Sequence, residues 1–286
     1  MRLVSYFVAL AATLFSATIV TGQSVSATPS SPSQSVSPKL ENVKFIAGLF
    51  WASSTGLYRR CAATIVTNNT LVTSAACAMS DYPSTAHGPG EWRIIAGNTD
   101  DRFLESPTSD VQGYSVASVD IDKCSNFAII KLRDIMDIGS EIQSIVLSSH
   151  PMEQNKMLNT YNTSNPYGDP FLSLTQGSMD ACNLMRPGYA SDYFICTQPV
   201  QGQHVAGDYL GGDPIIGFSN QPQAGAIVVL VGITGMYYST ISAAQNGSMN
   251  DPTAYRFSPM VAPHVNKIAT YAGVKPISII TTGDLS

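Results

Sequence analysis

Residues 61–77 read Cys-Ala-Ala-Thr-Ile-Val-Thr-Asn-Asn-Thr-Leu-Val-Thr-Ser-Ala-Ala-Cys, and this stretch decides the fold class of the chain. Two β-rich runs, 61–67 and 70–73, are separated by the dipeptide Asn68-Asn69. A two-residue break between such runs is the spacing of a β-hairpin. The stretch therefore predicts two antiparallel strands.

Short β-rich runs recur along the rest of the chain, with clusters of Gly, Pro, Asn and Asp between them. They lie at 92–96, 114–119, 127–132, 145–147, 171–174, 193–196, 227–233 and 255–257. No long helical period interrupts them, and one helix is predicted, over about 259–272, with Gly273 just past its end. The pattern favours an all-β sandwich or barrel over a parallel α/β sheet.

Five motifs make the prediction more specific. Residues 73–77 (TSAAC) are similar to T-A-A-H-C, residues 126–132 (NFAIIKL) to D-I-A-L-L-K-L, and residues 207–214 (GDYLGGDP) to G-D-S-G-G-P. Residues 230–234 (LVGIT) match a strand that leads into S-W-G, and residues 255–258 (YRFS) match Y-T-R-V before a terminal helix. In these motifs and their order the chain resembles the trypsin-like (chymotrypsin-fold) serine proteases.

This resemblance implies an all-β fold of two six-stranded antiparallel barrels. The trypsin-like domain would cover residues 44–274, with barrels at about 44–145 and 146–258 and the C-terminal helix at about 259–272. Residues 275–286 would then form a tail.

The resemblance also implies that the catalytic residues are absent. Ala76 stands at the position of the general base, Asn126 at that of the orienting aspartate, and Tyr209 at that of the nucleophilic serine. Acyl transfer by this fold needs a nucleophile, a base and a group that orients the base. Alanine has no lone pair to accept a proton, and the phenol of Tyr209 has no histidine to activate it. We expect an inactive protease homologue.

The substrate pocket of the family is altered in the same way. By position, Gln203 replaces the acidic residue of the pocket floor, and Tyr237 falls where the family often has glycine, so we expect the pocket to be filled. Among the histidines, His204 lies nearest the old site in sequence; we interpret it as an exposed loop residue, with a replacement base as the alternative. No pair of ligand residues has metal spacing on one element, so neither a metal nor a cofactor is expected.

The ends of the chain predict export. Residues 1–22 have a charged start, an apolar middle and small residues near the end, as in a secretory signal peptide; a membrane anchor is the alternative. Residues 23–43 are rich in Ser and Pro and predict a disordered linker. The net charge of −5, without a basic cluster, argues against nucleic acid or an anionic membrane as partner.

Five cysteines in an exported chain leave one without an intrachain partner. The resemblance implies the disulfides Cys61–Cys77 and Cys182–Cys196. Cys124 matches no cysteine of the family and is interpreted as a free thiol, buried and inert, with an intermolecular disulfide as the alternative.

Two kinds of processing are also suggested. The sequons at Asn68, Asn162 and Asn246 lie in predicted turns and are candidates for glycosylation, although unoccupied sequons are common. Residues 45–48 (FIAG) after Lys44 imperfectly resemble the I-V-G-G site at which active family members are cleaved. If cleavage occurs, Asp208 would pair with the new N-terminus; if not, Asp208 would stay solvated.

Among inactive relatives, the chain resembles the oomycete glucanase inhibitor proteins. This resemblance implies binding to plant endo-β-1,3-glucanases in the apoplast and a role in virulence. As the net charge also indicates, neither nucleic acid nor, after signal removal, a membrane is expected as partner. The alternatives are a cofactor or decoy in an extracellular proteolytic cascade and a residual serine endopeptidase.

Overall fold

The fold is mostly β, as the sequence predicts. A computed structural model describes residues 43–79, 81–97, 104, 113–149, 157–161, 163, 171–185, 187–188, 192–200, 211–221, 225–238, 255–276 and 280–281. Within these ranges the chain forms fifteen strands, four α-helices and a 3-10 helix.

The first barrel is closed and consists of six antiparallel strands. They are β1 (Ile46–Ser53), β2 (Gly56–Thr67), β3 (Thr70–Ser74), β4 (Gly90–Ile95), β5 (Tyr114–Asp122) and β6 (Phe127–Leu132). Their order is β1-β2-β3-β6-β5-β4, and the pairing of β4 with β1 closes the barrel. The predicted hairpin is the pair β2 and β3, joined by the turn at Asn68-Asn69.

Over most of β1, β3 and β6 and the second half of β2, the strands of this barrel are buried on both faces, which explains their nearly continuous apolar runs. In β2, Ala63 and Ile65 belong to a core shared with β1, β3, β4 and β6. Their neighbours Ala62 and Val66 belong to a second core that also contains residues of the second sheet. Because successive side chains of a strand point to opposite faces, the same strand serves both cores.

The second sheet contains nine strands. They are β7 (Val146–Ser148), β8 (Met157–Tyr161), β9 (Phe171–Gln176), β10 (Phe194–Pro199), β11 (Pro214–Gln221), β12 (Gly225–Ile233), β13 (Met236–Tyr238), β14 (Tyr255–Pro259) and β15 (Ile280–Thr281). Their order is β13-β14-β10-β9-β8-β11-β12-β7-β15.

Six of these strands curl into the second barrel that the sequence predicts. β14, β10, β9, β8, β11 and β12 are antiparallel neighbours, and an isolated bridge between Gly232 and Met260 brings β12 back to the end of β14. The Val261 N–H also donates to Val231 O at 2.9 Å. The short strands β7, β13 and β15 extend the sheet beyond six, with β7 and β15 in parallel pairs. β15 lies in the predicted tail, so part of the tail belongs to the sheet.

The helices are short. They are α1 (Ala75–Ala78), α2 (Asp81–His87), α3 (Met179–Met185), a 3-10 helix (Ala262–His264) and α4 (Val265–Ala272). The predicted terminal helix begins later than expected, because the chain to Pro259 is held in β14. α4 ends at Gly273, whose φ of 73° supplies the left-handed cap. Lys267 Nζ on α4 lies 3.0 Å from Asp120 Oδ1 on β5, which ties the helix to the first barrel.

A shared core joins the two barrels and the terminal helix. It contains Phe127 from the first barrel, Ile216 and Leu230 from the second, and Ile268 from α4. Val43 also belongs to this core and is buried. The predicted linker over 23–43 is therefore wrong at Val43, and the rest of it lies outside the described residues.

Candidate functional site

The candidate site begins where β3 turns into α1. Ser74 caps this helix, since its Oγ accepts a hydrogen bond from the Cys77 N–H at 3.3 Å. The Ala75 N–H donates to Asn126 O at 3.0 Å. Ala76 lies on this turn, half-buried. The cap and the bond to residue 126 therefore position Ala76 at the end of the first barrel.

Asn126 lies directly beside Ala76. Its Oδ1 accepts a hydrogen bond from the Ala76 N–H at 3.2 Å, and its Nδ2 is buried without a hydrogen-bond partner. The φ of Asn126 is 53°, in the left-handed region that asparagine tolerates better than most residues. Two residues that the motifs assign to the triad are thus neighbours.

The turn before Asn126 is organised by Asp122. Its Oδ1 accepts hydrogen bonds from the Cys124 N–H at 3.0 Å and the Ser125 N–H at 3.3 Å. Burial acts to raise the pKa of Asp122, but hydrogen bonds from Ser125 and Cys124 and the nearby His264 together lower that pKa below its ordinary value. The ionised carboxylate therefore stabilises this turn.

Two glycines of the third motif, Gly211 and Gly212, contact the first barrel close to Cys77. Gly211 O lies 3.1 Å from Cys77 Sγ, a contact without a hydrogen bond because a disulfide sulfur has no hydrogen. Gly212 has a φ of 102°, and a Cβ on it would lie 2.7 Å from Ala62 O. Close approach between the barrels thus requires glycine here. Tyr209, Gln203, His204 and Asp208 lie outside the described residues, so the predictions made for them stay predictions.

At the two described positions that the motifs assign to the triad, neither side chain is a proton acceptor of the kind that acyl transfer needs. Ala76 presents a methyl group, and the Asn126 carboxamide is not a base. The ring of His264 stacks on that of Phe127, the residue after Asn126, with the two ring centroids 4.1 Å apart. His264 is only 5% exposed, and burial lowers the pKa of its imidazole. The charge of Asp122 acts to raise this pKa, and the charge of Lys267 acts to lower it further. His264 is thus a core residue that favours the neutral form.

The cysteines pair as the resemblance implies. The structure contains the disulfides Cys61–Cys77 and Cys182–Cys196 and leaves Cys124 as a free thiol. Cys124 is exposed, so the expectation that it is buried is wrong. The apolar run next to it starts at Phe127, whereas Cys124 lies in the polar turn before β6.

A buried polar network beside the glycines escaped the sequence analysis. Asp213 is only 2% exposed, and its Oδ1 accepts hydrogen bonds from the hydroxyl and the backbone N–H of Thr163. Arg59 Nη2 donates to Thr163 Oγ1 at 2.6 Å. The only signal in the sequence is that Asp213 interrupts the G-G-P motif.

The cleavage resemblance at residues 45–48 is explained differently by the structure. Ile46, Ala47 and Gly48 lie in β1, where they pair with β2, and Gly48 also pairs with β4. Ile46 and Ala47 are fully buried. These residues are therefore part of the barrel wall, and a terminus made by cleavage after Lys44 would be held at the start of β1.

Tyr237 pairs with Arg256 across β13 and β14. The side chain of Tyr237 lies outside what the structure describes, so pocket filling stays a prediction. Arg256 is 1% exposed, and its charge acts on the buried Asp213. An interior arginine therefore lies directly opposite the predicted pocket residue.

The sequons differ in what can be said of them. Asn68 is exposed in the β2–β3 turn, and its backbone O accepts a hydrogen bond from the Met136 N–H at 2.7 Å. Asn162 and Asn246 lie outside the described residues. Glycosylation stays a prediction at all three positions.

Two further searches cover only the described ranges. Among those residues, no group of three His, Cys, Asp or Glu side chains is arranged to hold a metal ion. No helix in the same part of the chain combines the length and apolar character that crossing a bilayer requires.

Solved structures of trypsin-like proteases share this fold. The chain aligns with kallikrein-related peptidase 10 at a TM-score of 0.58, with 14% sequence identity, over 82% of this chain and 99% of that one. The structure of kallikrein-related peptidase 10 in complex with Zn²⁺ aligns equally well. No protein-family model and no curated protein matches the sequence. The chain thus has the chymotrypsin fold, which can host many functions.

Proposed function

We propose that the protein is a secreted, non-catalytic serine protease homologue that binds and inhibits another extracellular protein. The observation that carries this proposal is the hydrogen bond between Asn126 Oδ1 and the Ala76 N–H. Where the motif resemblance expects an imidazole held by a carboxylate, a methyl group lies beside a carboxamide. This pair can neither take a proton from a nucleophile nor stabilise an imidazolium ion.

The scaffold around this pair supports binding as the function that is left. The Cys61–Cys77 disulfide and the Ser74 cap fix the turn that carries Ala76 on the first barrel, and the contact between Cys77 and Gly211 joins this turn to the second barrel. A rigid scaffold of this kind presents loops for recognition even without catalysis.

Export is supported by two features. The disulfides Cys61–Cys77 and Cys182–Cys196 are of the kind that persists in oxidising compartments, and residues 1–22 have the pattern of a signal peptide. For the partner we propose a plant endo-β-1,3-glucanase of the apoplast, on the motif resemblance to the glucanase inhibitor proteins. The exposed turn at Asn68, a sequon, fits an exported glycoprotein.

Catalytic inactivity is tested by treating the purified protein with a fluorescent fluorophosphonate, which labels activated serine nucleophiles. We expect no covalent label under conditions in which an active trypsin-like protease is labelled. The variant Ala76→His is expected to stay unlabelled as well, since Tyr209 stands at the motif position of the nucleophilic serine and Asn126 would not orient the new imidazole. Stoichiometric labelling of the wild-type protein would show an activated serine and contradict the proposal that the protein is non-catalytic.

The partner is tested separately with an isolated plant endo-β-1,3-glucanase and laminarin as its substrate. We expect the folded protein to lower the rate of laminarin hydrolysis and to retain the enzyme on an affinity column. The same protein with its disulfides reduced and alkylated serves as the control bait. Full glucanase activity in the presence of excess folded protein would remove this partner but leave catalytic inactivity intact.

A further inference from the structure

The loop that follows β6 presents two isoleucines to solvent. This isoleucine loop covers residues 133–142, in which Ile135 is 68% and Ile138 is 39% exposed. Isoleucine is among the residue types that are most often buried. Single exposed apolar side chains are common on protein surfaces, but here two lie within four residues of chain. Because they are three residues apart, their Cα atoms are separated by at most about 11 Å, and one partner can cover both.

The first barrel holds this loop in place. Met136, between the two isoleucines, is buried in the barrel core, and its N–H donates to Asn68 O at 2.7 Å. Ile142 is buried in the same core and accepts a hydrogen bond from the Gly139 N–H at 2.8 Å. The exposed isoleucines are therefore displayed on a restrained backbone, and a partner that covers them orders little further chain.

The charge of the isoleucine loop is negative. Its exposed ionisable side chains are one guanidinium and three carboxylates, from Arg133, Asp134, Asp137 and Glu141. Neither Asp134 nor Asp137 forms an ion pair with any residue that the structure describes. Their charge is thus available to a partner. Complementary charges fix the register of an interface and speed encounter, so this loop matches a basic rim around an apolar pocket.

We propose that the isoleucine loop is the surface on which this protein docks its partner, and that the partner protein presents positive charge around an apolar pocket that takes Ile135 and Ile138. The inference rests on the proposed function, since it names the binding surface and the charge of the extracellular protein that is bound. The net charge of −5 acts in the same direction, because a negative protein attracts a basic partner before contact.

Two features of the chain favour this occupant and this location. A second copy of the chain would bring the same negative loop, and like charges across an interface oppose self-association through it. The loop follows the end of β6, whereas Asn126 precedes the start of that strand, so the two lie at opposite ends of β6. The partner would therefore be held away from the Ala76–Asn126 pair, and docking requires nothing of the lost catalytic positions.

The first test measures the binding of an isolated plant endo-β-1,3-glucanase, with a positive net charge at the assay pH, by surface plasmon resonance. Ile135→Ser and Ile138→Ser should each weaken binding roughly tenfold, mainly through faster dissociation. Val274→Ser is the matched control, because Val274 has the same 39% exposure as Ile138 but follows α4, and it should bind like the wild type. All variants are made in one host, so that any glycan at Asn68 is common to them.

The second test addresses the charge of the partner. Asp134→Asn and Asp137→Asn should slow association several-fold at low salt and flatten its salt dependence, because screening then has less attraction to remove. Arg133→Gln should have the opposite effect and speed association. Asp192→Asn, at an exposed position before β10, is the control and should associate like the wild type. Faster association of the Asp134 and Asp137 variants, or no change in any loop variant, would overturn the proposed basic rim.

The outcomes distinguish this inference from the proposed function. If the wild type binds the glucanase and the serine variants of the loop bind it equally well, the docking surface is wrong and the proposed function stands. If the wild type does not bind the glucanase, the proposed partner is wrong and this inference fails with it. Equal weakening by Val274→Ser would also refute a role that is specific to the isoleucine loop.

Discussion

Asn126 Oδ1 lies 3.2 Å from the backbone nitrogen of Ala76 and accepts its hydrogen bond. Together with the bond from the Ala75 N–H to Asn126 O, this contact ties the turn before β6 to the short helix after β3. It shows that the side chain at position 126 has a structural role in the absence of an imidazole partner.

Replacing Asn126 should separate two contributions to stability, that of its side-chain hydrogen bond and that of its left-handed backbone conformation. In Asn126→Ala the lost hydrogen bond should lower the free energy of unfolding by about 0.5–1.5 kcal/mol. The strain of alanine at positive φ should lower it by about 1–2 kcal/mol more. Asn126→Gly should lose less, because glycine adopts this φ without strain, and Asn126→Asp keeps an acceptor. Urea unfolding of the three variants measures the difference. Equal losses for alanine and glycine would contradict the left-handed conformation.

Gly212→Ala should be more damaging than an ordinary glycine replacement at positive φ. The new Cβ would lie 2.7 Å from Ala62 O and 2.9 Å from Cys77 Sγ. Gly88→Ala is the matched control, since its φ is 80° and nothing lies within 4 Å of its Cβ position. We expect the loss for Gly212→Ala to exceed that control by about 1–3 kcal/mol in the free energy of unfolding. Similar losses in the two variants would mean that the contact between the barrels adjusts to the extra methyl group at little cost.

Removing either disulfide should destabilise the fold, because each one restricts the unfolded chain. The sequence separations are 16 for Cys61–Cys77 and 14 for Cys182–Cys196, so each double replacement by serine should cost about 3 kcal/mol. Cys124→Ser changes an exposed thiol and should stay within about 0.5 kcal/mol of the wild type. Denaturant unfolding under oxidising conditions provides the comparison. A large loss for Cys124→Ser would show that its thiol is engaged.

His264 should make the protein less stable in acid. Burial lowers the pKa of the folded imidazole below 6.5, so its contribution is present above pH 6.5 and is lost as the pH falls from 6.5 through the folded value. His264→Phe keeps a ring against Phe127 but cannot titrate, so its melting temperature should fall less on acidification. His264→Gln should show the same flatter profile at a lower stability. A wild-type pH profile in both variants would exclude His264 as the titrating group.

Much of the fold could be predicted because most of its strands coincide with short β-rich runs in the sequence. The hairpin of β2 and β3 and the run that forms β6 lie where their β-branched residues and turn signals indicate. β1 was missed, since residues 45–48 resemble a cleavage site as much as a strand. β8 and β11 were also missed. Each pairs with the strand that follows it, β9 and β12, but they also pair with each other across a long stretch of chain, and no local pattern reveals that partner.

The candidate site was predictable only in its residue types. Motif order assigns Ala76 and Asn126 to neighbouring roles, and the structure brings them into contact. The exposure of Cys124 was misjudged because an apolar strand starts only three residues later. The Asp213 network could not be read from the chain, since Arg59 and Thr163 are 104 residues apart in sequence.

By itself, the sequence determined the β-class and the β2–β3 hairpin, because both are properties of short stretches. The tertiary structure alone decided that β1 forms a barrel wall and that His264 is enclosed in the core. It also decided that Asp213 links the barrels as a buried acid. Burial and long-range pairing set the charge and the partners of such groups, and these arise only when distant strands close around them.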